Sequence, residues 1–115
     1  MRYLSNMPTD LLLVFGTCPD TESAEAISRQ LVERGAAACV TRLPSVSSIY
    51  LWQGVIETSN EILLLIKSSN NQYPELEKII VSLHPYELPE IIAVSVDQGL
   101  ADYLHWVKQC TEKPT

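Results

Sequence analysis

The side chains of this sequence best equipped for chemistry are three widely spaced cysteines, Cys18, Cys39 and Cys110, and a histidine, His84, that opens the stretch His84-Pro85-Tyr86-Glu87-Leu88-Pro89-Glu90. A thiol and an imidazole together suit soft or borderline ions such as copper or zinc. The same pair serves nucleophilic catalysis when a third group orients the base and donors hold an oxyanion, and neither can be assigned here. Cys18 stands between an apolar run and a helix start at Asp20, where the positive end of the helix dipole favours thiolate. Cys39 follows Ala36, Ala37 and Ala38, a setting that suits a buried small hydrophobe as well as a ligand. His84 offers a ring nitrogen to a metal or a bond to the last carbonyls of a helix. Two prolines stiffen the loop it opens, so Tyr86, Glu87 and Glu90 are presented from a fixed frame.

The metal candidates are therefore His84, Cys18 and Cys39, and no catalytic residue is assigned. The chain has no phosphate-cradling glycine loop, no Gly-x-Ser-x-Gly elbow, no His-Glu-x-x-His helix and no Cys-x-x-Cys. An enzyme is the least favoured reading, and no organic cofactor is expected. The aromatics Tyr50, Trp52, Tyr103 and Trp106 suit a small-molecule pocket or simple interface packing.

The elements that must position these residues follow from spacing. Leu11 to Phe15 is an unbroken apolar run ending at Gly16-Thr17, the pattern of a strand buried on both faces. Asp20 reads as an N-cap and Gly35 as the stop of a helix whose stripe is Ala24, Ile27 and Leu31. Ala36 to Leu43 resumes as a strand, and Pro44 marks a bulge or edge. Ser48 to Glu57 and Glu61 to Lys67 make a long hairpin, with turn chemistry placed at Thr58-Ser59-Asn60. Ser68 to Asn71 offers caps for a second helix with the stripe Tyr73, Leu76, Ile79, Ile80 and Leu83, ended by Pro85. Ile91 to Val96 is a fourth strand, and Leu100, Tyr103, Leu104 and Val107 form a last helix. The order is β-α-β-β-α-β plus a C-terminal helix, an α+β, split βαβ, ferredoxin-like arrangement in one domain over residues 1–115 with its core at about 10–108.

Composition bounds the partners. The 115 residues are 46% apolar and 19% charged, which suits a folded domain. The formal charge of −6, with Lys and Arg scattered, disfavours nucleic acid. No apolar run approaches the ~20 residues that span a bilayer. Met1 to Asp10 holds no apolar stretch of signal-peptide length before Pro8. Odd, spaced cysteines suggest reduced thiols, so a cytoplasmic protein is expected.

The strands do not alternate apolar and polar. Tyr50 and Trp52 oppose Ile49 and Leu51, and Leu63 and Leu65 oppose Ile62, Leu64 and Ile66. Two helices cover one face of such a sheet. The other needs the last helix or further copies of the chain, because monomers seldom expose so large an apolar patch.

The sequence resembles the CutA family of divalent-cation tolerance proteins. The matching stretches are Thr17-x-Pro19, Ala37-Ala38-Cys39-Val40, Ser48-x-Tyr50-x-Trp52-x-Gly54, Leu65-Ile66-Lys67, His84-Pro85-Tyr86-Glu87-x-Pro89-Glu90-Ile91 and Tyr103-Leu104-x-Trp106. The resemblance implies a homotrimer of ferredoxin-like subunits, similar in design to the PII-type signalling proteins. It also implies a cytoplasmic role in tolerance of copper and other divalent metals, with His84 as a copper ligand. Two positions depart from the pattern: Gly16, where some relatives carry a cysteine, and Leu83, where some carry a second histidine. The alternative is a PII-like regulatory scaffold whose inter-subunit cleft, lined by Tyr50, Trp52, Lys67, Tyr86, Glu90, Tyr103 and Trp106, holds a small metabolite.

Overall fold

The computed structural model describes residues 9–112, so most of the stretch read for an export signal lies outside the described residues. The chain runs β1 (Leu11–Cys18), α1 (Thr21–Glu33), β2 (Cys39–Trp52), β3 (Val55–Ser69), α2 (Tyr73–Leu83), β4 (Ile91–Ser95) and α3 (Ala101–Cys110). The strands form one sheet in the order β2-β3-β1-β4, and every neighbouring pair is antiparallel. This is the expected ferredoxin-like order with a long hairpin and an added C-terminal helix.

Local chemistry explains most boundaries. The Asp20 carboxylate accepts the Ser23 N–H at 2.8 Å and caps α1. Gly35 turns the chain out of that helix at φ +70°, a conformation that favours glycine. β2 begins at Cys39 rather than Ala36, because the N–H groups of Ala36 and Ala37 both close on the Leu31 carbonyl at the helix exit. Pro74 falls in the first turn of α2, where its missing N–H costs nothing. The expected caps from Ser68 to Asn71 are not used: Ser68 and Ser69 finish β3, and Gln72 precedes α2 without a side-chain cap. His84 is extended, as the residue before Pro85 must be, and ends α2.

The hairpin turn lies elsewhere than the sequence suggests. Gln53 and Gly54 take φ +51° and +83°, the two positive values of a tight two-residue turn, with Trp52 paired to Val55. Thr58, Ser59 and Asn60 are extended in β3 opposite Ile49, Ser48 and Ser47. Pro44 does mark a bulge: the register shifts between Leu43 and Val46, with Ser45 at φ +60°. One extra residue on β2 reverses which side chains face which way. Beyond the bulge the even-numbered Tyr50 and Trp52 therefore share a face with the odd-numbered Cys39, Thr41 and Leu43.

The two faces of the sheet are covered unequally. Leu12, Val14, Leu64 and Ile66 pack under Ile27 and Leu31 of α1 and Leu76 and Ile79 of α2. The Arg34–Glu75 ion pair at 2.7 Å also links these helices. On the opposite face α3 shelters only one end, where Val107 and Leu104 meet Leu11, Ala38 and Val96. Farther along that face Ile92 is 59% exposed and Val94 49%. The hairpin extends the molecule to 52 Å in its longest dimension and carries Ile49, Leu51 and Ile56 in the open.

Candidate functional site

A concavity of about 930 Å³ lies between the far half of the hairpin and the loop that joins α2 to β4. The hairpin contributes Tyr50 and Trp52, aimed there by the bulge, and Glu61 from the start of the buried part of β3. The loop contributes Pro85, Tyr86, Glu87 and Glu90. Thr17, at the end of β1, forms part of the floor.

His84 holds the loop rather than lining the concavity. The Tyr86 N–H donates to Nδ1 at 3.0 Å, so the ring proton sits on Nε2, which donates to the Thr17 carbonyl at 2.6 Å. The His84 and Tyr86 rings meet at a tilt of 57° with centroids 4.9 Å apart. With both nitrogens engaged, His84 has no free lone pair for a metal unless the ring leaves these bonds. Its ring ties the loop to the end of β1 rather than to the last carbonyls of α2.

Cys18 is fully buried on the helix-covered face, alongside Val14 and Ile27. Burial pushes its thiol up to about 11, an effect larger than the lowering by its Ser23 hydrogen bond, and Asp20 and Glu61 push it the same way. The thiolate expected from the helix dipole is therefore not favoured, because desolvation outweighs the dipole. Cys39 sits on the opposite face, paired with Lys67, whereas Cys18 pairs with Ile62. Five residues along β3 separate them, roughly 17 Å at the rise of a strand. The structure thus brings Cys18 and His84 to the same end of the sheet and leaves Cys39 at the other. Among the described residues no three His, Cys, Asp or Glu side chains gather as metal ligands.

Within one protomer the seven residues expected at an inter-subunit cleft stand in two places. Tyr50, Trp52, Tyr86 and Glu90 line the concavity. Lys67 and Tyr103 line a separate cavity of about 210 Å³ under α3, and Trp106 packs beside Tyr103 with ring centroids 5.6 Å apart. There Lys67 donates to Thr41 Oγ1 and to Cys39 Sγ, the latter at 3.8 Å. Burial and then the neighbouring Cys39 raise the Tyr103 phenol.

Sequence reasoning missed Glu61. The residue is 5% exposed and accepts the Tyr86 hydroxyl on Oε2 at 3.1 Å. Burial first, and then this bond, push the Tyr86 phenol up to about 12, so it stays a donor. A charge heading an apolar run reads as a strand flank. The one signal available was Pro44, since its bulge sets Val46 opposite Glu61 and the aromatics on the same face.

Comparison with known proteins places the chain. The family model described as "CutA1 divalent ion tolerance protein" matches residues 12–110. The mouse Protein CutA is 44% identical over 106 residues, covering 92% of this chain and 60% of the relative, so the chain spans about three fifths of that protein's length. The CutA crystal structure from Xylella fastidiosa is 50% identical with TM-score 0.89, covering 90% of this chain and 100% of that one. The Archaeoglobus fulgidus structure, described as a periplasmic divalent cation tolerance protein, is 30% identical with TM-score 0.85, over 89% of this chain and 99% of that one.

Proposed function

The chain belongs to the CutA1 divalent ion tolerance family, and from that premise we propose that it serves cellular tolerance of divalent cations, copper among them, as a homotrimer rather than as a catalyst. The observation that carries the assembly is the uncovered sheet face: Ile92, Val94 and Leu43 stand exposed where α3 does not reach. A non-catalytic role is supported by Cys18, whose buried, protonated thiol is a poor nucleophile.

The residues of one protomer do not fit a complete metal site, since His84 is doubly bonded, Cys18 is buried and Cys39 lies at the other end of the sheet. Cation capture is accordingly proposed for the assembled protein, with ligands drawn from more than one copy and His84 released from Tyr86. Calorimetric titration with Cu²⁺ and Zn²⁺ tests this. The expected result is saturable heat at micromolar protein that His84→Ala removes, and the absence of heat would overturn direct binding. The cytoplasm is the proposed compartment, supported by three unpaired cysteines. No described helix is long and apolar enough to cross a membrane. Cell fractionation tests this: recovery with the cytoplasmic fraction is expected, and recovery with the periplasmic fraction, the placement described for the Archaeoglobus protein, would overturn it.

The concavity favours a second reading, a regulatory scaffold that reports a small metabolite. Its aromatic walls and convergent polar groups are the ordinary makings of a ligand site. A metabolite specific for the folded state raises the melting temperature. No shift across amines, organic acids, amino acids and nucleotides would overturn that reading.

A further inference from the structure

Among the described residues one thiol has an amine beside it. Cys39 opens β2 directly opposite Lys67 on β3, and the Lys67 ammonium donates to the Cys39 sulfur at 3.8 Å. Both residues are half-buried at the end of the sheet that α3 overhangs, where Tyr103 also neighbours the sulfur. Lys67 donates to Thr41 Oγ1 as well, so its long side chain is held across β2 instead of reaching into water. The other described lysines, Lys78 and Lys108, are exposed. Cys18 is enclosed by apolar side chains and Cys110 stands in the open, neither with a hydrogen bond to a described lysine. The pair belongs to one protomer: directly opposed residues of neighbouring strands set it, so it does not depend on what lies over that face of the sheet. A thiol that meets a peroxide becomes a sulfenic acid, whose electrophilic sulfur condenses with a thiol or a nitrogen within reach. Held opposite by the strand pairing, the Lys67 amine is the nucleophile at the highest effective concentration.

We propose that Cys39 and Lys67 form a peroxide-sensitive switch: oxidation joins them through a sulfur–nitrogen bond and reduction parts them. The Cys39 thiol takes one oxygen from hydrogen peroxide, giving a sulfenic acid and water. Lys67 yields a proton to solvent, and its nitrogen lone pair attacks the sulfur. The S–O bond breaks, and the departing hydroxide takes a proton from the nitrogen to form a second water. Sulfur has lost two electrons and the peroxide has gained them. A dithiol reductant returns the thiol and the amine and is itself left as a disulfide. The bond closes residues 39–67, the whole hairpin, into a covalent loop and fastens the edge strand β2 to its neighbour, which constrains the unfolded chain. The inference stands apart from the cation and metabolite readings, which need neither this amine nor an oxidant.

The test is peptide mapping by mass spectrometry of the full native chain after treatment with hydrogen peroxide. The expected product is a Cys39 peptide joined to a Lys67 peptide, two hydrogens lighter than their sum. Tryptic cleavage after Lys67 should be lost with the link and restored by dithiothreitol. Lys67→Arg keeps the charge and the donors but replaces the amine with a poor nucleophile, so it should abolish the link and leave Cys39 as a sulfenic acid that dimedone traps. The oxidised unmutated protein should melt at a higher temperature than the reduced one, and dithiothreitol should remove the difference. A sulfenic acid that stays free beside Lys67 in the unmutated protein would overturn the proposal without any variant having to fold. So would a Cys39 that does not react, a disulfide from Cys39 to Cys110 in place of the link, or a link that survives in Lys67→Arg. A link that dithiothreitol does not reverse, or that leaves the melting temperature unmoved, would overturn the switch.

Discussion

The two faces of the one sheet are built from similar side chains and meet different fates. Val14, Leu64 and Ile66 disappear beneath α1 and α2, whereas Ile92 and Val94, on strands of the same sheet, keep about half their surface in water. A chain that only had to fold would make the second face polar, as antiparallel sheets covered on one side do. The difference teaches that part of this sequence is written for a surface the chain itself does not supply.

The comparison is broken most forcefully from the covered face. Leu31→Ala removes a fully buried side chain from the helix layer and should cost about 2–5 kcal/mol in denaturant unfolding. Ile92→Lys with Val94→Lys should weaken association on the order of a hundredfold by sedimentation. Secondary structure by circular dichroism should be unchanged. If the lysines unfolded the chain and left assembly of the folded fraction intact, the two faces would not differ as described. A smaller loss, about 1 kcal/mol, is expected for Tyr86→Phe, which strips Glu61 of its donor at a half-exposed position.

Alkali sharpens the comparison at least cost to the fold. Cys18 is raised from 9.0 to about 11 and Tyr86 from 10.0 to about 12, so each native group holds its proton more tightly than the unfolded one. The stability they contribute is complete below pH 9 and is lost as pH climbs through about 11 and then about 12. Cys18→Ala should flatten the first part of that decline. At pH 8 a thiol reagent should modify exposed Cys110 promptly and Cys18 only after denaturation.

Much of this was legible in the residues. Asp20, Gly35, Pro74 and Pro85 punctuate the helices where their chemistry requires, and the missing alternation of β3 announced two apolar faces. What failed did so for physical reasons. Gln53 gives little hint of the positive φ it adopts, so the turn was placed at Thr58-Ser59-Asn60, whose polar side chains are equally at home on an exposed strand. Cys18 was read from its nearness to a helix start. The two-residue period from Leu12 and Val14 put it on the buried face instead, and desolvation decided its chemistry. His84 was correctly set at a helix exit, but which bonds fill its nitrogens depends on Thr17, brought close only by the fold. Glu61 became visible through the parity change that one extra residue imposes on β2.

The claim on which the rest depends is that neighbouring copies cover the second face. Sedimentation velocity at low micromolar concentration tests it most directly. The account predicts one species of three times the 12.9 kDa chain mass, and a single 12.9 kDa species would contradict it.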